Sequence, residues 1–166
     1  MERIPSGGSA HPSEQRHGEE PCEPSEPSAT ILIIEDDPDV VAATQLLLER
    51  RGYRVITAAD AQEGTRKLEE ERPRLILLDV MLPTGTEGFH FVWSLRNHTD
   101  PSLRKTPVII TSVIHRTTDL RLYPEVSDPE YAPGEFLPVQ SFVDKPVVVS
   151  ELVRVVEDVL SDQRYR

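Results

Sequence analysis

Five short segments rich in apolar residues recur along the chain, each bounded by charged residues, glycine or proline. Runs of this length with little polar alternation are typical of strands covered on both faces of a parallel sheet. The predicted strands are Ile31 to Ile34, Arg54 to Ala58, Leu75 to Leu78, Val108 to Ile110 and Phe142 with Val143.

The intervals between these strands carry helical signals. The first helix is predicted to begin with Asp37 as its N-cap and Pro38 at its first position, and to end near Gly52. Asp60 with Glu63 three residues later resembles a capping box that opens a second, polar helix. That second helix is predicted to extend to about Glu71.

Two more helices complete the alternation. One is predicted from Phe89 to about Asn97, and the last is predicted to be capped by Ser150. The inward-facing positions of the first and last helices are predicted to be Val40, Ala43, Leu47 and Leu48, and Leu152, Val155, Val156 and Val159. Strands and helices that alternate in this way predict an α/β fold with a doubly wound parallel sheet.

The ends of the chain differ in composition from its middle. Residues 1–29 hold five prolines and many serine, glycine and glutamate residues, so they are predicted to form a disordered tail. A docking peptide that folds on binding is the alternative for this segment. The folded domain is predicted to span residues 30–162, followed by a short C-terminal end at 163–166.

Charge and composition exclude several classes of protein. A net charge of −11 and a pI of about 4.9 argue against nucleic acid or an anionic membrane as the main partner. The single cysteine, Cys22, excludes an internal disulfide. The five histidines show no metal-ligand spacing. With no signal-peptide or membrane-spanning pattern, we expect a soluble cytoplasmic protein.

Polar residues with metal-binding or phosphoryl-binding chemistry follow four of the predicted strands. In an open α/β sheet, ligands bind beyond the carboxyl ends of the strands, so these residues are expected to meet. Clustered carboxylates favour a hydrated Mg²⁺ ion, and a lysine beside them supplies a positive charge for a phosphoryl group. The residues are Glu35, Asp36 and Asp37, then Asp79, then Thr111 and Ser112, and finally Asp144 and Lys145.

Four motifs at these positions resemble those of the receiver domain of two-component response regulators, a CheY-like family. Each motif is weak alone, but the four occur in order, each at the end of a strand. They are Ile33-Ile34-Glu35-Asp36, Leu77-Leu78-Asp79-Val80-Met81-Leu82-Pro83, Pro107-Val108-Ile109-Ile110-Thr111-Ser112 and Phe142-Val143-Asp144-Lys145-Pro146. The resemblance implies a flavodoxin-like, five-stranded sheet in the strand order 2-1-3-4-5.

The resemblance also implies a role for each matching residue. Asp79 would accept a phosphoryl group from a histidine kinase or phosphotransfer protein. Mg²⁺ would be bound by Asp36, Asp79 and the backbone carbonyl of Met81, and by Glu35 through water. Lys145 would pair with the phosphoryl oxygens, and its bond to Pro146 would be cis. Ser112 and Phe142 would form the switch, with Thr111 as the alternative hydroxyl.

A receiver of this kind would be a phospho-acceptor switch that catalyses only its own phosphorylation and dephosphorylation. One alternative is a receiver-like binding module that phosphorylation does not control. A phosphatase of the haloacid-dehalogenase type is disfavoured, because that chemistry needs a second aspartate where this chain has Met81. The chain ends at Arg166, so we expect no effector domain, and output through an unidentified protein partner or phosphorelay.

Two stretches depart from the family pattern. The loop between Pro83 and Gly88 is one residue longer than usual, and Ser112 and Lys145 are unusually far apart. Prolines at 124, 129, 133 and 138 predict that the fourth helix of the family is missing, or is reduced to a turn or two within Arg116 to Tyr123. An ordinary helix followed by an insertion is the alternative.

Overall fold

The computed structural model describes residues 28–82, 87–112 and 139–162, and for Ser112 the backbone alone. Within these residues the strands are β1 (Thr30–Ile34), β2 (Arg54–Ala58), β3 (Leu75–Asp79), β4 (Val108–Ser112) and β5 (Ser141–Asp144). The helices are α1 (Pro38–Glu49), α2 (Ala61–Glu71), α3 (Glu87–Arg96), α4 (Pro101–Arg104) and α5 (Val149–Ser161).

All strand pairs are parallel, and the sheet has the order β2-β1-β3-β4-β5. The predicted doubly wound, flavodoxin-like fold and its strand order are therefore confirmed. The register sets Ile34 beside Leu78, Asp79 beside Thr111, and Ser112 beside Asp144. The carboxyl ends of these strands consequently lie along one edge of the sheet.

The sheet has a hydrophobic core on each face, because alternate strand residues point to opposite sides. One core joins Ile34, Leu78 and Ile110 to Leu68 of α2 and to apolar residues of α3. The other core packs residues such as Ile33, Leu77 and Ile109 against Leu48 of α1 and against α5. β3 is buried along its whole length, so its final residue, Asp79, is held in a rigid, covered position.

The helix starts of α1 and α2 follow the predicted signals. Asp37 caps α1, and its Oδ1 accepts hydrogen bonds from the backbone N–H groups of Asp39 and Val40 at 2.9 and 3.4 Å. Asp60 accepts from the N–H of Glu63, whose side chain accepts in return from the N–H of Ala59. Both caps are therefore confirmed.

Some details differ from the predictions. α5 begins at Val149 with Val148 as its N-cap residue, and no side chain caps it. The N–H groups of Glu151 and Leu152 bond to the carbonyl of Val148. Ser150 is therefore not the cap. Ala43 is exposed rather than inward-facing. The short helix α4, capped by Asp100, was not predicted.

The described structure starts inside the predicted tail. Ser28 donates its backbone N–H to the carbonyl of Gly52 at 3.0 Å, and Ala29 is buried. The folded part therefore includes two residues assigned to the tail. Residues 1–27 and the segment 113–138, where the shortened fourth helix is predicted, lie outside the described residues. Among the residues described, no helix has the length and apolar character needed to cross a membrane.

Candidate functional site

Side chains from the ends of three strands meet at one edge of the sheet. Glu35 and Asp36 follow β1, Asp79 is the last residue of β3, and Lys145 follows β5. Carboxylate oxygens of the three acidic residues lie within 4.8 Å of one another. The structure thus brings together the acids and the lysine that the sequence placed at strand ends.

Asp79 is buried and held at both carboxylate oxygens. Its Oδ1 accepts the backbone N–H of Met81 at 2.8 Å, and its Oδ2 accepts the ammonium of Lys145 at 2.7 Å. The residue is 5% exposed. These bonds fix the orientation of the carboxylate, which is the requirement for a group that attacks along a defined direction.

Lys145 bridges two carboxylates from different strands. Its Nζ lies 2.7 Å from Asp79 Oδ2 and 2.7 Å from Glu35 Oε2. Burial by itself would lower the pKa of Lys145, but the hydrogen bonds to Asp79 and Glu35 outweigh it and raise the pKa. The lysine is therefore fully charged at neutral pH, although its side chain is largely covered.

Glu35 is also buried, and its carboxylate lies deeper than that of Asp36. Burial raises the pKa of Glu35, the Lys145 ammonium opposes this shift, and the nearby Asp79 carboxylate adds to it. Asp36 is exposed. The cluster therefore has a buried part next to the lysine and an open part that faces solvent.

The donor set fits a magnesium ion. Three carboxylates supply hard oxygen ligands, and no sulfur or imidazole ligand belongs to the cluster found among the described residues. The exposed position of Asp36 leaves room for the waters that Mg²⁺ retains. The cluster consists of the three acidic residues that the resemblance implies, and their binding of Mg²⁺ stays a prediction.

The predicted switch residues lie on β4 and β5, the two strands that follow β3 in the sheet. Phe142 is half-buried in β5 and packs against the core that includes α2 and α3. Thr111 is buried and lies beside Asp79 in the β3–β4 pairing. The side chain of Ser112 lies outside the described part, so the choice between Ser112 and Thr111 as the switch hydroxyl stays a prediction. The predicted cis bond between Lys145 and Pro146 is confirmed.

Sequence reasoning missed two features of the site. The direct ion pair between Glu35 and Lys145 was not predicted. The available signal was that Glu35, next to Asp36, has the longer side chain of the two acids. The close packing of Gly88 against the backbone of Val80 was also not predicted. The glycine that follows the loop after Pro83 was the available signal.

Residues 31–123, more than half of the chain, match the model of the response regulator receiver domain. The chain therefore belongs to the receiver domain family of two-component response regulators. It is 48% identical over 67 residues to the transcriptional regulatory protein AfsQ1 of Streptomyces coelicolor, covering 40% of this chain and 29% of that protein. It is 31% identical over 91 residues to protein PilH of Pseudomonas aeruginosa, covering 55% of this chain and 73% of PilH.

A solved structure agrees with this assignment. The chemotaxis response regulator CheY4 of Vibrio cholerae superposes with a TM-score of 0.61 at 26% identity, over 79% of this chain and 98% of CheY4. Several of the curated relatives are much longer than the matched region. The chain spans 29%, 22% and 36% of the lengths of AfsQ1, PhoP of Bacillus subtilis and GtcR of Aneurinibacillus migulanus.

Proposed function

We propose that Asp79 accepts a phosphoryl group from the histidine of a histidine kinase or phosphotransfer protein in the cytoplasm. The phosphorylated protein then signals by binding a protein partner or by passing the group on. The observation that carries this proposal is the position of Lys145 Nζ, 2.7 Å from the Asp79 carboxylate and within the carboxylate cluster. Receiver domains are signalling switches, and this chain has the acids and the lysine that such a switch uses.

The transfer is a single displacement at phosphorus. An Asp79 carboxylate oxygen forms a bond to the phosphorus atom while the bond from phosphorus to the donor's imidazole nitrogen breaks. The electron pair of the broken bond stays on the imidazole nitrogen. Little covalent work falls to the protein, so positioning and charge neutralisation decide the rate.

Each part of the site has a task in this step. The N–H of Met81 donates to Asp79 and orients its carboxylate. The Lys145 ammonium, which contacts the same carboxylate, is proposed to bind the incoming phosphoryl oxygens. Asp36 and Asp79, with the backbone carbonyl of Met81, are the proposed ligands of Mg²⁺, and Glu35 is proposed to reach it through water. When bound, the ion neutralises the charge that develops on the phosphoryl oxygens.

The response to phosphorylation is proposed to pass through β4 and β5. The acyl phosphate carries about −1.5 to −2 charges at pH 7 where the carboxylate carried −1, and this change is enough to bias a two-state element nearby. Ser112, or Thr111 in its place, is proposed to move toward the group, and Phe142 to repack in response. The adjacent positions of these strands in the sheet support a coupled movement.

A groove beside the site suits the phosphoryl donor. It has a volume of about 470 Å³ and lies between α1 and the start of α5. Lys145 is part of its wall, and the Nζ atom of the same residue lies 2.7 Å from Asp79 Oδ2, so the groove adjoins the carboxylate cluster. The other wall residues are mainly apolar and include Val40, Ala43, Leu47, Val147 and Val149. We propose that a helix of the donor protein packs in this groove.

The direct test is treatment with acetyl phosphate or beryllofluoride in the presence of Mg²⁺. After acetyl phosphate, the intact mass of the wild type should rise by one phosphoryl group, and beryllofluoride should shift its NMR signals. Neither change should occur in Asp79→Asn, and both should occur in the control Asp39→Asn. A wild type that stays unmodified would favour the receiver-like binding module that phosphorylation does not control. A modification that persists in Asp79→Asn would place the acceptor elsewhere.

A further inference from the structure

Both carboxylate oxygens of Glu35 are engaged by the protein itself. Oε2 accepts the Lys145 ammonium at 2.7 Å, and Oε1 accepts the backbone N–H of Asp37 at 3.4 Å. The residue is 4% exposed, whereas its neighbour Asp36 is exposed to solvent. Of the two adjacent acids, Glu35 is thus bonded to the lysine, and Asp36 has the carboxylate that a cation can reach from solvent.

A lysine side chain needs more than one partner to be fixed in place. It has four rotatable bonds and loses much rotamer freedom when it is held. Two acceptors on separate strands, Glu35 after β1 and Asp79 at the end of β3, define where the ammonium lies. With one acceptor alone, the ammonium could swing about that single contact.

The two partners of Lys145 differ in what the reaction does to them. Asp79 is converted from a carboxylate to an acyl phosphate, so its contact with the lysine must change during the cycle. The Glu35 carboxylate takes no part in bond formation and is the same group before and after transfer. Glu35 is therefore the constant partner of the lysine.

We propose that Glu35 is a positioning residue for Lys145 and holds the ammonium at the acceptor carboxylate throughout the phosphorylation cycle. The part of this inference that concerns phosphoryl transfer rests on the proposed function, whereas the part that concerns the resting protein does not. It divides the acidic pair by task. Asp36 serves mainly the cation, and Glu35 serves mainly the lysine.

The resting protein provides the first test, with no metal or phosphoryl donor present. The ammonium signal of Lys145 is identified by NMR through its loss in Lys145→Met. Its hydrogen exchange with water should become about tenfold faster in Glu35→Gln, which keeps the shape but loses the charge of the acceptor. Asp36→Asn is the matched control, and it should leave the exchange rate unchanged. Equal exchange in wild type and Glu35→Gln, or equal acceleration in both variants, would overturn the proposal.

Thermal melts of the metal-free protein give a second, independent measurement. If Glu35 holds Lys145, the shift in melting temperature caused by Lys145→Met should be smaller in the Glu35→Gln background than in wild type. In the Asp36→Asn background that shift should equal the wild-type value. Additive shifts for Glu35→Gln and Lys145→Met would overturn the proposal.

The phosphorylation rate separates the two acidic residues in the reaction. With saturating Mg²⁺ and acetyl phosphate, Glu35→Gln should lower the maximal rate about tenfold. Asp36→Asn should instead raise the Mg²⁺ concentration needed for half-maximal rate. The reverse pattern would overturn the assignment of tasks. A wild type that is never phosphorylated would contradict the proposed function, while the exchange measurement would still decide the pairing of Glu35 with Lys145.

Discussion

Gly88, near the start of α3, lies directly against Val80, the residue after Asp79. A Cβ atom at position 88 would be 2.7 Å from Val80 Cα and 3.0 Å from the carbonyl oxygens of Asp79 and Val80. These neighbours are backbone atoms and cannot rotate away. The absence of a side chain at Gly88 therefore lets α3 approach the chain segment that carries Asp79.

Gly88→Ala is expected to destabilise the protein, because the clash with backbone outweighs the better helix propensity of alanine. The loss should be about 1–3 kcal/mol in urea denaturation, accompanied by shifted amide NMR signals at Met81. Gly64→Ala is the comparison, since its Cβ would meet only side-chain atoms, the nearest being Cδ1 of the buried Ile34 at 2.6 Å. That variant should lose less stability than Gly88→Ala, because a side chain can shift where backbone cannot. Equal effects of the two substitutions would contradict this explanation.

Mg²⁺ is expected to stabilise the folded protein, because it binds the carboxylate cluster only when Glu35, Asp36 and Asp79 are brought together. At ten times its Kd the ion should add about 1.4 kcal/mol, seen as a rise in melting temperature. Asp36→Asn should lose most of this rise, and Asp39→Asn should keep it. A melt that does not respond to millimolar Mg²⁺ at low salt would argue against the site.

The groove beside Lys145 can be tested with two neighbouring alanines of α1. Both Ala42 and Ala43 are exposed, but Ala43 lines the groove and Ala42 does not. Ala43→Asp should slow phosphoryl transfer from the cognate histidine kinase by about tenfold or more, because a charge is buried in an apolar contact. Ala42→Asp should not. Both variants should react normally with acetyl phosphate, and equal transfer rates from the kinase would exclude the groove.

Asp100 gives a pH dependence that lies away from the site. Its pKa is held well below the usual range, first by the hydroxyl of Ser102 and then by the guanidinium of Arg72. A carboxyl group with a lowered pKa in the folded state stabilises above its unfolded pKa of 3.8, and this contribution is lost as the pH falls through the lower, folded value. The difference in urea midpoint between wild type and Asp100→Asn should therefore shrink from about pH 6 to about pH 3. A difference in urea midpoint that stays constant over this pH range would show that Asp100 does not contribute to the pH dependence of stability.

Gln140 completes the pairing at the start of β4. Its backbone N–H donates to the carbonyl of Val108 at 2.9 Å, and its side-chain oxygen accepts the N–H of Val108, which is fully buried. Gln140→Met keeps the size but removes the acceptor, and should cost about 1–3 kcal/mol in urea denaturation. Gln140→Glu keeps an acceptor and should cost less. Equal losses would show that the hydrogen bond is not the cause.

The fold and the centre of the site were predictable because they depend on local signals. Continuous apolar runs such as Ile31 to Ile34 identified buried strands, and Asp37 and Asp60 identified helix starts. Parallel strands place their carboxyl ends at one edge, so Asp79 and Lys145 could be expected to meet although they are distant in sequence.

Features that depend on packing were not predictable in the same way. The start of α5 depends on which backbone carbonyl accepts the first hydrogen bonds of the helix. That carbonyl belongs to Val148, and a valine is not a residue type that signals a helix N-cap. The bond between Glu35 and Lys145 depends on side-chain reach along the sheet edge, because β3 and β4 lie between the strands that the two residues follow. The four-residue α4 is too short for hydrophobic periodicity, although Asp100 followed by Pro101 is a cap signal in hindsight.

The local charge balance of the site follows from its composition. Three carboxylates and one ammonium leave a surplus of two negative charges, which one divalent cation cancels. Under the proposed function, conversion of the Asp79 carboxylate to an acyl phosphate would add about one further negative charge at pH 7. With the cation bound, the site would therefore be electroneutral before transfer and negative after it. This negative charge would draw hydrogen-bond donors, such as the hydroxyl of Ser112 or Thr111, toward the strand ends, so an electrostatic imbalance would be the origin of the proposed movement in β4 and β5.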